Sequence, residues 1–243
     1  VAAGATLPAL FGARGPVTLG EVPAGRFREQ LLKLAPAAQT RALATLERLR
    51  IPHNDVEALA TDVDGHLFYE CAREPAGTPP PPAALPVASA APVAVTMPPI
   101  RHSRPGASRV LYLDFNGHNV IDTAWNAANV SSGRPAVDIY ACRPYDRDGD
   151  VTTFSDTEQA EIVAIWQRVA EDYSAFDVDV TTEEPAAFTA QTLRALVTHT
   201  IDANGVANPS SATASGVAYL DVFGRDNLAS YSPAFVYYDV LSS

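Results

Sequence analysis

The chain has 243 residues, is 47% hydrophobic, and carries 17 Lys+Arg against 28 Asp+Glu, a net charge of −11. That apolar share supports a packed core and excludes wholesale disorder, and no run approaches the ~18–20 uninterrupted apolar residues of a membrane helix. The charge is uneven: residues 1–100 hold 8 Lys+Arg against 9 Asp+Glu, residues 101–243 hold 9 against 19, so the second part repels phosphate backbones and anionic membranes and makes nucleic acid an unsuitable partner.

Residues 1–74 read as a small helical unit. The stretch from Val1 to Gly15 lacks a basic region followed by an apolar one, so it is not an intact signal peptide, although a signal removed upstream of Val1 is allowed. In AGRFREQLLKL, Phe27, Leu31 and Leu34 recur at i, i+4 and i+7, one helical stripe. Pro36 suits the first position of a second helix, whose stripe of Leu43, Leu46 and Leu49 runs until Pro52. Asn54 with Glu57 has the spacing of a cap for a short third helix. A turn at Asp64-Gly65 then leads into HLFYEC, which alternates as a strand does.

Residues 75–108 form a proline-rich linker in this reading. Nine prolines fall within residues 75–99, including PPPP at Pro79–Pro82. Such a run is extended, and its exposed backbone suits proteolytic cutting.

Residues 109–243 alternate strands with a helix, an α/β pattern. RVLYLDF (Arg109–Phe115) is a short strand. Ser155 and Glu158 make a capping box that opens a helix running to Tyr173, with Ile162, Ile165, Trp166, Val169 and Tyr173 on one face. FDVDVT (Phe176–Thr181), RALVTHT (Arg194–Thr200), GVAYLDVF (Gly216–Phe223) and AFVYY (Ala234–Tyr238) follow as strands. The expected architecture is a mixed, twisted five-stranded sheet backed by one long helix. A single helix leaves one sheet face largely uncovered, so a covering element is expected that residues 1–243 do not supply.

Three groups of residues offer chemistry. PYDRDGD places Asp146, Asp148 and Asp150 at alternate positions, a spacing that brings several carboxylate oxygens to a hard cation such as calcium. It departs from an EF-hand, because Gly149 is the fourth loop residue and Thr157 stands where the bidentate Glu belongs; a solvated acidic turn is the alternative. Cys71 and Cys142 are either two separate thiols or one structural disulfide, the latter favoured by export. The histidines, His53, His66, His102, His118 and His199, show no metal-binding spacing, with no pair four apart and none followed by Glu.

The string IWQRVAEDYSAFDVDVTTEEP, with RALVTHTIDANG, SGVAYLDVFGR and YSPAFVYYD, resembles a bacterial family of secreted zinc metallopeptidases of the metzincin clan, related to the adamalysin/reprolysin group. GRFREQLLKLAPAAQTRALATLERL through GHLFYE resembles the segments that precede those catalytic domains. The resemblance implies a helical pro-segment (1–74), the linker (75–108) and the N-terminal subdomain of a catalytic domain (109–243), exported from the cell. It also implies that Gly216, Val217, Ala218 and Tyr219 lie on an edge strand that pairs with a peptide or protein substrate in antiparallel fashion. Cys71, or the carboxylates of Glu70 and Glu74, would then silence the zinc as part of the pro-segment.

The departure concerns the metal. The HExxHxxGxxH stretch that supplies three zinc ligands and the general base is absent from residues 1–243, so the ligands are expected beyond Ser243, in the remainder of the catalytic domain, and the chain alone is expected to be inactive, with no catalytic residue of its own. The alternatives are a non-catalytic exported binding module with a protease-like sheet, calcium-binding if the acidic loop is a site, and a free-standing protease inhibitor built on the pro-segment.

Overall fold

The computed structural model describes residues 10–11, 15–73, 97–128 and 134–241. It is a mixed α/β structure with a mixed multi-stranded sheet and few helices, and it divides into two compact units. The first comprises residues 1–71 with 127–137 and 218–221; the second comprises 72–126, 138–217 and 222–243.

In the first unit, strands β1 (Leu10–Phe11) and β2 (Ile51–Pro52) pair antiparallel, and helices α1 (Arg26–Lys33) and α2 (Pro36–Arg48) lie between them in the chain. The stripe read from the sequence is the buried one: Phe27, Leu31 and Leu46 join Val22, Ile51, Val56, Leu59 and Leu67 in one core, with Leu34 and Leu43 packed at its margin. Pro36 opens α2, where its missing N–H leaves no bond unmade. The third helix is a 3-10 turn, His53–Ala58, with no side-chain cap, so Asn54 does not serve the role its spacing suggested. Strands β3 (Leu59–Thr61) and β4 (Leu67–Ala72) form a hairpin. Asp62 holds its turn: Oδ1 accepts from the amides of Asp64 and His66 at 3.0 and 2.9 Å, and Oδ2 lies 3.2 Å from His66 Nδ1. Gly65 has φ +83°, and a Cβ there would stand 2.0 Å from the Ala38 carbonyl oxygen of α2, so the turn lies directly against the helix.

The second unit contains seven strands in place of the predicted five. Five run side by side in the order β10 (Ala214–Tyr219), β11 (Ala234–Tyr237), β9 (Thr192–Thr198), β5 (Arg109–Asp114), β8 (Val178–Thr181). All neighbours are parallel except β10 with β11. The two strands that went unpredicted, β6 (His118–Val120) and β7 (Tyr140–Cys142), form a separate antiparallel ribbon. Strand β8 starts two residues after Phe176, which is exposed, and β10 begins two residues before the predicted Gly216.

Helix α3 (Asp156–Asp172) has the predicted start: Ser155 Oγ accepts from the Glu158 amide, and the Glu158 carboxylate accepts from the Ser155 amide at 2.8 Å. It packs on β8, with Ile162 fully buried and the Trp166 indole N–H donating to the Val180 carbonyl at 2.8 Å.

The strand registers put Leu111, Leu113, Val178, Val180, Leu193, Ala195, Val197, Ala234 and Val236 on the α3 side. Burial on that side is graded. Leu111, Leu113, Val178 and Val180, under or beside the helix, are buried, and of the residues farther along only Val197 is; Leu193, Ala195, Ala234 and Val236 are half-buried.

The opposite side is closed without a helix, contrary to the expectation of an open face. Leu196, Phe235 and Tyr237 are buried there. Trp125 meets Phe235 edge-on at 5.6 Å and donates from Nε1 to the Pro233 carbonyl, and the Tyr237 hydroxyl reaches the Pro209 carbonyl. Long loops carrying aromatic side chains do the work that a helix layer does in other α/β sheets.

Of the residues read as a linker, 75–96 lie outside the described residues. Residues 99–108, in contrast, are tied to β8 and its flanks. Thr182 donates from Oγ1 to the Pro99 carbonyl and accepts from the Arg101 amide, its own amide reaching the Arg101 carbonyl. Ser103 and Val180 exchange two further bonds, and the Ser108 amide donates to Asp177.

Candidate functional site

The acidic loop takes a shape that loop-position counting did not foresee. Asp146 Oδ1 accepts from the amides of Asp148 and Gly149 at 3.1 and 2.7 Å, curling the loop on itself. Asp150 is turned to Thr152 and Thr153, whose amide and hydroxyls hold its carboxyl below the usual range. It therefore leaves the predicted trio. Its place is taken by Glu158 of α3, so that carboxylate oxygens of Asp146, Asp148 and Glu158 lie within 4.8 Å of one another. Glu158 is buried, with one oxygen accepting from the Arg147 amide and the other from Ser155. Three oxygen donors of this kind suit a hard cation such as calcium and not zinc, which takes nitrogen and sulfur in most protein sites.

Zinc has no fit among the described residues. His53 lies in the 3-10 turn, His66 is bound to Asp62, and His102 lies between Asp179 and Glu183. His118 is on β6, and His199 lies 3.4 Å from Asp239. No cluster of three histidine, cysteine or carboxylate ligand atoms converges among these residues apart from the acidic one.

Cys71 and Cys142 are separate thiols, so of the two readings the sequence left open the structure has no Cys71–Cys142 disulfide. Cys142 is buried and its Sγ lies 3.4 Å from Asn208 Oδ1, while Cys71 is exposed at the end of β4. Burial and the nearby Asp202 and Asp114 push the Cys142 thiol up, away from the reactive thiolate.

On β10, Gly216 faces Val236 across the ladder, and Val217 faces Phe235. A Cβ on Gly216 would stand 2.8 Å from the Phe235 carbonyl oxygen. This glycine therefore serves the close approach of β10 and β11; an unobstructed rim is not needed to explain it. Val217 and Tyr219 are buried, the latter with its hydroxyl 3.3 Å from Asp62 Oδ2 and its ring 5.4 Å from Phe68. Ala218 is half-buried. Backbone groups next to β10 are already bonded: the Leu220 amide to the Leu67 carbonyl, and the Thr213 carbonyl to the Arg73 amide.

Sequence reasoning missed a buried charged cluster. On the side of the sheet opposite α3, Arg194 of β9 pairs with Asp114 of β5 and lies 3.0 Å from Glu184. Its guanidinium lies over the Phe188 ring at 4.4 Å and the Tyr112 ring at 5.3 Å. Burial lifts the Asp114 carboxyl to about 6 in spite of the opposing pull of Arg194. Burial and the same guanidinium push the His118 imidazole down to about 4, leaving it neutral at pH 7. A cleft of about 490 Å³ opens beside these groups, reached by His118, Phe188, Arg194, Asp226 and the hydroxyls of Thr189 and Ser232. Its only sequence-level signal was the unexplained Asp114 and Arg194 on otherwise apolar strands.

No protein-family model matches the chain, and neither curated proteins nor solved structures yield a match. The class that fold and geometry define by themselves is thus a mixed α/β protein with an acidic second unit.

Proposed function

We propose that residues 1–243 are the precursor portion of a secreted zinc-dependent metalloendopeptidase of the metzincin type. In this reading the first unit is an inhibitory pro-segment, and the second is the N-terminal subdomain of the catalytic domain. The observation that carries the reading is the graded burial under α3. The helix covers β5 and β8, while Leu193, Ala195, Ala234 and Val236 on the same side stay half-buried around the buried Val197. Small and branched apolar side chains in that pattern suit a second helix lying beside α3. Apart from the β6–β7 ribbon, which the resemblance does not imply, the order strand, helix, then four strands is the one it implies.

The described residues do not fit zinc, so no catalytic step is assigned to them. The metal and the general base belong, in this proposal, to a helix outside residues 1–243. The test is to express the polypeptide encoded by a reading frame extended past residue 243, then measure bound zinc and cleavage of a quenched peptide. One zinc per chain with chelator-sensitive cleavage is expected. A zinc-free, inactive product, or a frame that closes at residue 243, would sink the proposal.

A second reading, an exported calcium-binding module without catalysis, is favoured by one observation, the meeting of Asp146, Asp148 and Glu158. Calorimetric titration of calcium into the full chain tests this reading: saturable binding abolished by Asp148→Asn is expected, and no binding would sink it.

A further inference from the structure

The cleft opposite α3 belongs to neither reading, and its charge balance selects a ligand. Its volume, about 490 Å³, lies within the range of ordinary small-ligand sites. The one cationic side chain that lines it, Arg194, is buried, and its charge is already met by two carboxylates, Asp114 and Glu184. Phe188, which lies over that guanidinium, is 42% exposed and offers an apolar wall. His118 is uncharged at neutral pH, so its ring presents a lone pair or a neutral N–H. The remaining charge on the lining is the exposed carboxylate of Asp226, and Thr189 and Ser232 add neutral acceptors.

An anion entering this cleft would meet the Asp226 carboxylate and no cation without a carboxylate partner. A cation on an apolar stem would meet the Asp226 carboxylate and neutral acceptors, with Phe188 and Leu228 among the apolar lining. We propose that the cleft between His118, Phe188 and Asp226 binds a guanidinium or ammonium group carried on a short apolar stem, as in an arginine or lysine side chain or a free alkylamine. The surrounding acidity, net −10 over residues 101–243, steers such ligands toward the molecule. The proposal does not depend on peptidase activity.

The test uses the full chain, isotope-labelled, and follows amide resonances of residues 118–121 and 189–192 by NMR. The probes are butylguanidinium, an acetylated Gly-Arg-Gly amide, the same peptide with citrulline, and butyrate. Saturable shifts with the arginine peptide are expected, with citrulline binding about tenfold more weakly and butyrate causing none. If butylguanidinium binds as tightly as the peptide, the group alone is the ligand; tighter peptide binding assigns the site to a side chain in a polypeptide. Asp226→Asn, an exposed change that leaves the fold intact, is expected to weaken either probe about two- to fivefold. Equal binding of arginine and citrulline peptides, preference for butyrate, or no saturable shift in these segments overturns the proposal.

Discussion

The Nδ1 atom of His102 lies 2.7 Å from Oδ2 of Asp179, a residue of the strand that segment 99–104 covers, and Nε2 of the same ring lies 2.9 Å from Glu183. Asp179 also accepts from the amides of Ser103 and Arg104, so the imidazole and the backbone share one carboxylate. Arg104, Asp177 and Arg101 are the other charges on these segments.

This arrangement makes the attachment pH-dependent. The bond to Asp179 chiefly raises the His102 pKa above its usual 6.5; burial opposes it, and the bond to Glu183 adds a lesser rise. The native state therefore holds the proton more tightly than the unfolded chain. The stabilisation is complete below pH 6.5 and is lost as pH rises through the elevated native pKa. NMR titration is expected to place the His102 midpoint above 6.5, and the amide of Thr182 to lose exchange protection with the same midpoint. In His102→Gln the protection should no longer change across that range; an unchanged pH profile in the variant would count against the attachment.

Arg194→Met leaves Asp114 buried without its partner, and a loss of about 3–5 kcal/mol in urea unfolding is expected. Changing both residues to apolar ones of similar size should recover most of it. Recovery below half of the loss would mean that the pair contributes more than charge neutralisation. Since burial raises the Asp114 carboxyl to about 6, wild-type stability attributable to this group falls as pH rises from 3.8 to about 6, the reverse of an ordinary salt-bridged aspartate.

Gly65→Ala places a Cβ 2.0 Å from the Ala38 carbonyl in a left-handed backbone conformation. The conformation alone costs about 1–2 kcal/mol, and the collision with backbone adds to it. Denaturant unfolding followed at the first unit should show at least that loss, whereas Gly149→Ala, where nothing lies within 4 Å of the added Cβ, should cost only the conformational part.

Ser155→Ala removes half of the capping box, and a loss of about 1 kcal/mol is expected by thermal or chemical unfolding. Because Ser155 also orients the Glu158 carboxylate, the same variant should weaken any cation binding at Asp146 and Asp148. Ser155→Thr is expected to restore both.

What could be read from the sequence was local. The Phe27–Leu31 stripe, Pro36 at the start of α2 and the Ser155–Glu158 box are all set within one or two helical turns, where spacing alone decides contact. Strands β6 and β7 have three residues each, too few for a period to register, and their pairing joins residues twenty or more positions apart. The Arg194–Asp114 pair and the His102–Asp179 contact span 80 and 77 positions and leave no spacing signature. The acidic loop shows an intermediate case: Asp146 and Asp148 were visible, but the arrival of Glu158 in place of Asp150 follows from how the loop enters α3. Gly216 was legible as special, though its cause is the neighbouring strand's carbonyl.

Residues 99–104 have one more consequence. Strand β8 is the last in its row on that side, and a bare strand there would present unsatisfied amides and carbonyls to any extended polypeptide nearby. With its outer rung already taken by residues 99–104 of the same chain, the strand withholds that template, and trimming those few positions is expected to expose a rim prone to stacking.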